Sequence, residues 1–243
     1  MKILGVIPTR YASTRFPGKP LTDIGGKSMI QRVYEQSIKA SVLSKIVIAT
    51  DDERIFRHAE NFSDVIMTRH DHPSGTDRCL EALEQQQGAF DYVINIQGDE
   101  PFIDPIQIET LASELKKGAS IATLAKPIET EATLNNPNIV KVVITADGHA
   151  LYFSRAPIPY NRNAGSNPWT NNHSYLKHIG LYGYHADTLR QICKLPVGKL
   201  EQTESLEQLR WLEYGYWIRV GITNIETIGI DTPEDLEKIK GLI

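Results

Sequence analysis

The sequence predicts an α/β fold, a mostly parallel central sheet with helices on both faces, and three observations carry the prediction. Short runs rich in Val and Ile are apolar at consecutive positions, as strands buried on both faces require. Between those runs, apolar residues recur at helical spacing. The resulting order of strand, helix, strand, helix calls for parallel strands joined by right-handed crossovers. With 243 residues, 41% of them hydrophobic, the chain is long enough to bury the core of such a domain.

Taken in order, ILGVI at 3–7 is the first strand, and Met29, Ile30, Val33, Tyr34 and Ile38 mark a helix. KIVIAT at 45–50 is a second strand, Leu80 and Leu83 belong to a helical stretch, and DYVINI at 91–96 is a central strand. Ile106, Leu111 and Leu115 give the next helix more loosely. From about residue 120, strand-like segments near 119–125, 139–145 and 149–153 follow one another with few helical residues between. A loop at 155–173 is dense in Pro, Asn and Gly, so this part reads as an inserted, more antiparallel region. LKHIGLYGYHA at 176–186 alternates with period two. Helical patterns follow near 187–194 and 203–214, then a strand at 216–222 and a helix from 233. No repeat or linker divides the chain, so residues 1–243 are read as one domain.

Charge narrows the partners. Twenty-six Lys and Arg against 30 Asp and Glu leave −4, which argues against a nucleic-acid binder. The charge is uneven: residues 1–22 carry +4, residues 148–186 carry +3 through Arg155, Arg162 and Lys177, and the rest carries −11. No apolar run is long enough for a bilayer and the start lacks the layout of a signal peptide, so no membrane partner and a cytoplasmic location are expected. Cys79 and Cys193 lack metal-ligand spacing and are read as reduced, semi-buried thiols.

Ligands of an open parallel sheet bind beyond the carboxyl ends of its strands. The loop after the first strand, PTRYASTRFPGKPL, holds Arg10, Arg15 and Lys19 among Ser13, Thr14 and Gly18, a set suited to a polyphosphate. Neither G-x-G-x-x-G nor a complete P-loop is present, and GGKS at 25–28 reads as a turn and a helix cap. In HPSGTDR at 72–78, Ser74 or Thr76 caps a helix, or Arg78 and the Ser-Gly backbone meet a base or ribose. His70 and His72 are assigned to a solvated loop. In NIQGDEPFIDP, Asp104 and Pro105 fill the capping role, which leaves Asp99 as a Mg²⁺ ligand. In GIDTPEDL, Thr232 and Asp235 form the capping arrangement and Asp231 is left to join Asp99 on the metal. Arg155, His178 and Tyr182 suit a substrate with a carboxylate and hydroxyls, and Glu207 and Gln208 offer an acceptor and an amide, or are simply polar helix-surface residues.

The ordered set IPTRYASTRFPGKPL, ATDDERI, SGTDR, INIQGDEP, YFSRAPIP, HIGLYGY, ESLEQLRWLEYG and GIDTPEDL resembles the 3-deoxy-manno-octulosonate (Kdo) cytidylyltransferases, or CMP-Kdo synthetases, nearly end to end. The resemblance implies a nucleotide-diphospho-sugar transferase-like fold, and a homodimer built largely through an embedded region at about 120–215 that also binds the sugar. It implies activation of Kdo by CTP, giving CMP-Kdo and pyrophosphate for lipopolysaccharide synthesis. Arg10, Ser13, Arg15 and Lys19 would hold the triphosphate, Ser74 and Arg78 the cytidine, with Gln97 beside the reacting groups. Asp99 and Asp231 would hold Mg²⁺, and Arg155, His178, Tyr182, Glu207 and Gln208 the sugar acid. Arg15, Lys19, Asp99 and Asp231 are the catalytic set. HAENFSDVIMT and NIETIGIDTPEDL depart from the commoner pattern by trimmed loops. The alternatives are the same reaction on the 8-amino analogue of Kdo, a nucleotide-sugar glycosyltransferase, and a non-catalytic nucleotide binder.

Overall fold

The computed structural model describes residues 1–12, 16–165, 167–226, 228–230 and 232–239. Strands β1 (Ile3–Thr9), β2 (Lys45–Thr50), β3 (Asp64–Met67) and β4 (Tyr92–Asn95) form the amino-terminal half of the sheet. They alternate with helices α1 (Met29–Ser37), α2 (Glu53–Ala59) and α3 (Gly75–Glu84) and are mutually parallel, in the order β3-β2-β1-β4. Helix α4 (Pro105–Lys116) leads to β5 (Ile121–Pro127). After a short α5 (Glu131–Asn135), β6 (Lys141–Ile144) and β7 (Ala150–Ser154) form an antiparallel pair. Then come β8 (Leu176–His185), α6 (Ala186–Ile192), α7 (Lys199–Glu204), α8 (Gln208–Glu213), β9 (Arg219–Ile222) and α9 (Pro233–Ile239).

The first strand shows why consecutive residues are apolar. Leu4 and Val6 face a layer containing Cys79 and Leu83 of α3, Leu189 of α6 and Trp211 of α8. Ile3 and Ile7 face the opposite layer, with Ile30 and Val33 of α1 and Ile108 and Leu111 of α4. Both parities of the strand are buried, so the sheet is covered on both faces. The helices start where their caps dictate. The hydroxyls of Ser28 and Ser74 accept from the N–H of Gln31 and Asp77 at 3.2 Å, and Asp104 accepts from Ile106 N–H at 2.8 Å with Pro105 opening α4.

Two expectations are corrected. LKHIGLYGYHA is not part of an insertion: β8 runs antiparallel between β4 and β5 in the middle of the sheet path β3-β2-β1-β4-β8-β5-β9. The antiparallel addition proper is the β6–β7 pair, attached to the start of β8. The helical pattern at 203–214 is two helices, α7 and α8, separated at Ser205, whose φ of 54° lies in the left-handed region. The break follows from side chains on either side of it. Glu204 accepts from Ser154 Oγ at 2.6 Å and Arg155 N–H at 2.9 Å, while Glu207 is drawn to the start of α3.

Candidate active site

The carboxyl ends of β1 and β4, the start of α3, Tyr182 of β8 and Glu207 before α8 enclose a cleft of about 260 Å³. Gly98 lets the exits of β1 and β4 converge, because a Cβ there would lie 3.1 Å from the Pro8 carbonyl oxygen. The loop after β1 folds back through a bond from Gly18 N–H to the Tyr11 carbonyl at 3.0 Å, with Gly18 at φ 74°. The Arg54 guanidinium lies 3.3 Å from the centroid of the Tyr11 ring.

At the base of this loop, Lys19 Nζ donates to Asp99 Oδ2 and to the Ile230 carbonyl, each at 2.8 Å. Ile230 N–H donates to the Asp99 carbonyl at 2.9 Å, and the Ile230 side chain is buried with Ile24 and Met29. Three segments remote in sequence are thereby joined, and the chain entering residue 231 is docked on Asp99. Asp231 itself, with Ser13 and Arg15, lies outside the described residues. Next to Asp99, Glu100 is half-buried, with its Oε2 inaccessible and unpartnered, and desolvation, with the Asp99 charge beside it, pushes its carboxyl up to about 8. The hard carboxylate oxygens of Asp99 at this strand end suit a divalent cation such as Mg²⁺.

The opposite wall is a hydrogen-bonded bracket. Glu207 accepts from Ser74 Oγ at 3.0 Å and from Thr76 Oγ1 at 2.9 Å, and burial raises its pKa above the usual carboxylate value. Arg78, almost wholly buried, pairs with Asp51 at 3.2 Å and donates to the Arg69 carbonyl at 3.3 Å and to Thr68. It therefore reaches the cleft as a neutralised wall. Arg10 stands exposed at the mouth, and Gln97 Nε2 donates to the Gly180 carbonyl at 2.8 Å. Asn95 and Tyr182 complete the lining; burial, with the Glu207 charge nearby, pushes the Tyr182 hydroxyl pKa well up.

The structure thus brings Arg10, Ser74, Arg78, Gln97, Tyr182 and Glu207 to one cleft, with Lys19 paired to Asp99 where the first and fourth strands end. It does not bring Arg155, His178 or Gln208 into the lining. Arg155 Nε donates to the Glu204 carbonyl at 2.8 Å and Nη1 to the Pro137 carbonyl at 3.1 Å. The His178 ring is 3.0 Å from Thr123 Oγ1 and packs on Phe153 and Tyr182, so it sits behind the lining. Burial pushes its pKa down to about 3. Gln208 is buried at the start of α8. The second basic window likewise fails to converge on the cleft: Lys177, like Lys126, pairs with Glu226. His72 corrects the solvated-loop assignment, since its side chain is 4% exposed, bonded to Glu81, and lines the cleft.

Sequence reading missed Asn95, a neutral residue at the end of an apolar run; its signal was a polar side chain where the run meets the ligand edge of the sheet. The two thiols are free, Cys79 buried in α3 and Cys193 half-buried, and burial pushes Cys193 up to about 12, which leaves it inert as a nucleophile. Among the described residues no group of three or more His, Cys, Asp or Glu side chains forms a metal cage, and no helix is long and apolar enough to cross a membrane.

Comparison with known proteins gives a consistent result. A family model described as cytidylyltransferase matches residues 4–228. The 3-deoxy-manno-octulosonate cytidylyltransferase of Cytophaga hutchinsonii is 53% identical over 98% of this chain and 96% of its own. The enzyme of that name from Bacteroides thetaiotaomicron is 54% identical with the same coverage. The solved structure of CMP:2-keto-3-deoxy-manno-octonic acid synthetase complexed with CTP superposes with a TM-score of 0.92 at 44% identity, covering 100% of this chain and 98% of the other. A 4-diphosphocytidyl-2C-methyl-D-erythritol synthase from Anaerococcus prevotii, at 13% identity and a TM-score of 0.64 over 99% of this chain and 98% of its own, shares the fold.

Proposed function

The chain belongs to the cytidylyltransferase family, and on that premise we propose that it activates 3-deoxy-manno-octulosonate with CTP, giving CMP-Kdo and pyrophosphate for lipopolysaccharide synthesis. The observation that carries the reading is the junction of Lys19, Asp99 and Ile230: it sets a cation and a carboxylate together at the exits of β1 and β4, beside a cleft of mixed polarity.

The anomeric hydroxyl of the sugar acid attacks the α-phosphorus of CTP; its O–P bond forms as the bond to the bridging oxygen of the pyrophosphate breaks, and its proton passes to solvent. No protein nucleophile takes part. The chain's work is alignment and charge neutralisation. Arg10, at the mouth of the cleft, receives the phosphates, and Arg15 is the second arginine to pair with them. Ser74 and Arg78 bound the nucleoside side of the cleft, Gln97 borders the reacting groups, and Tyr182 and Glu207 face the sugar acid. Asp99 and Asp231 are the residues to hold Mg²⁺, which when bound lowers the pKa of the attacking hydroxyl and neutralises phosphate charge. Lys19, held by the Asp99 carboxylate and the Ile230 carbonyl, supplies the positive charge that would neutralise the leaving pyrophosphate.

We further place the enzyme in the cytoplasm as a homodimer. An apolar groove of about 650 Å³ lies between the β6–β7 pair, Ile158 and Pro159, and residues 173–176, with Leu151 and Ile222 roughly half exposed. Such a face suits a second copy of the chain.

The test is pyrophosphate release with Mg²⁺, Kdo and each of the four nucleoside triphosphates. Release with CTP alone is expected. Release of free nucleotide instead of pyrophosphate from a nucleotide-sugar donor would move the enzyme to the glycosyltransferases, and faster turnover of the 8-amino sugar would reassign the acceptor.

A further inference from the structure

Strand β1 pairs in parallel with β2, Thr9 opposite Thr50, so the chain leaves both strands side by side at the ligand end of the sheet. The motifs that follow them, RYAST at 10–14 and DDER at 51–54, are therefore neighbours. Only the first has a part in the proposed reaction. Both carboxylates of the second are taken up by structure: Asp51 pairs with Arg78 at 3.2 Å, and Asp52 caps α2 by accepting from Arg54 N–H at 2.9 Å. The Arg54 side chain is 59% exposed, yet it is fixed at both ends. Its Nε and Nη2 donate to the two oxygens of Asp52 at 3.0 and 2.6 Å, a two-pronged bond that sets the plane of the guanidinium. Its Cζ lies over the Tyr11 ring, 3.3 Å from the centroid.

The ring in turn meets Gly18. A Cβ on Gly18 would stand 3.0 Å from Tyr11 Oη and 3.1 Å from its Cζ, and the Gly18 N–H donates to the Tyr11 carbonyl at 3.0 Å. The φ of 74° and the missing Cβ are both what a glycine supplies. The segment from Tyr11 to Gly18 thus begins and ends at one point, with Ser13 and Arg15 inside it in sequence and Arg10 and Lys19 immediately outside. Arg54 reaches this closure from another element of the fold. Cations that bind phosphates act by alignment, and a loop that must be ordered on binding loses affinity to the cost of ordering. We infer that Arg54 is a positioning residue for the triphosphate: held by Asp52 and laid on Tyr11, it fixes the closed base of the loop from which Arg10 and Lys19 depart. It acts through Tyr11 and touches no phosphate. The inference rests on the reading that this loop receives the triphosphate of CTP.

The test is a double-mutant cycle on the intact chain, with CTP and CMP titrated by calorimetry in the presence of Mg²⁺. Arg54→Met, which removes the guanidinium and keeps the stem, is expected to weaken CTP about 5-fold and to leave CMP, which lacks the β- and γ-phosphates, within about 2-fold of wild type. Tyr11→Leu should match it, and the double variant should be no weaker than either single one, because all three break one contact. Tyr11→Phe keeps the ring and should bind CTP like wild type. Additive losses in the double variant would give Arg54 a phosphate contact of its own and overturn the positioning role. Equal weakening of CTP and CMP would reduce the clamp to general support of the fold, and unchanged CTP affinity would remove it altogether. If Arg54→Met does not fold, Arg54→Gln, which lacks the cation but can still bond to Asp52, takes its place and must weaken CTP while sparing CMP. Arg10→Met is the control on the loop itself. If it weakens CTP and Arg54→Met does not, the positioning role alone is lost; if it leaves CTP unaffected, the triphosphate reading of the loop falls and the positioning role falls with it.

Discussion

Asp99 is held in place by a lysine that the catalytic scheme also uses. Its carboxylate accepts a hydrogen bond from Lys19 Nζ at 2.8 Å, and the Ile230 carbonyl accepts another from the same ammonium. Removing the charge of Asp99 while keeping its shape costs the metal its ligand but leaves Lys19 anchored by Ile230. Asp99→Asn is therefore expected to lower kcat on the order of 10²-fold at saturating Mg²⁺ and to keep CTP affinity within a few-fold, measured by pyrophosphate release and calorimetry. Near-normal turnover would remove Asp99 from the metal site. Charge was the legible part of this site, and its pairing was not. Arg10, Lys19 and Asp99 stand where the strand exits place them, but nothing in SRAPIP says that Arg155 turns to main-chain carbonyls at the end of α7, or that Glu226 neutralises Lys177. Partners that far apart in sequence are set by topology.

At the scale of elements, the α7–α8 corner is the piece that sequence reading ran together. Helical spacing continues through 203–214, and the break is imposed by Glu204, Glu207 and Arg155 reaching to other parts of the fold. Ser205 takes the left-handed backbone conformation as the cost of that corner. A β-branched residue tolerates it worst. Ser205→Val should melt several degrees below wild type and raise KM through the displaced Glu207, whereas Ser205→Gly should stay within about 2 °C of wild type. Equal melting of the two variants would show that the corner stores no backbone strain. The strands were read more accurately: KIVIAT matches β2, and the parallel order of β1, β2 and β4 follows from alternation with helices. The place of β8 was not readable, because period-two alternation marks a strand but not its neighbours in the sheet.

At the scale of the whole molecule, two predictions concern stability and assembly. The buried His178 ring stays neutral, with its pKa pushed down to about 3. In the unfolded chain it gains a proton near pH 6.5. Protons are then bound preferentially by the unfolded state, so this part of the stability is present above about pH 6.5 and is lost as pH falls toward 3. The drop in Tm between pH 7 and pH 4 should be larger for wild type than for His178→Gln; equal drops would count against a neutral buried ring. Assembly is addressed by Leu151, exposed on the apolar groove. Leu151→Asp should shift the sedimenting species from two chains to one with little change in secondary structure, and an unaltered dimer would place the second copy elsewhere.

The position of β8 also fixes the order in which the sheet can be finished during synthesis. The ribosome delivers β5 before β8, although β8 is the strand that joins β5 to β4, and β9, the other neighbour of β5, comes later still. Until β8 emerges, the nascent chain carries a half-sheet of β1 to β4 open at β4 as well as at β3, and a buried-type strand, β5, without its sheet neighbours. Open apolar edges of this kind recruit other chains. A growing polypeptide of this topology leaves the β4 edge exposed until β8 is made and fills the gap between β4 and β5.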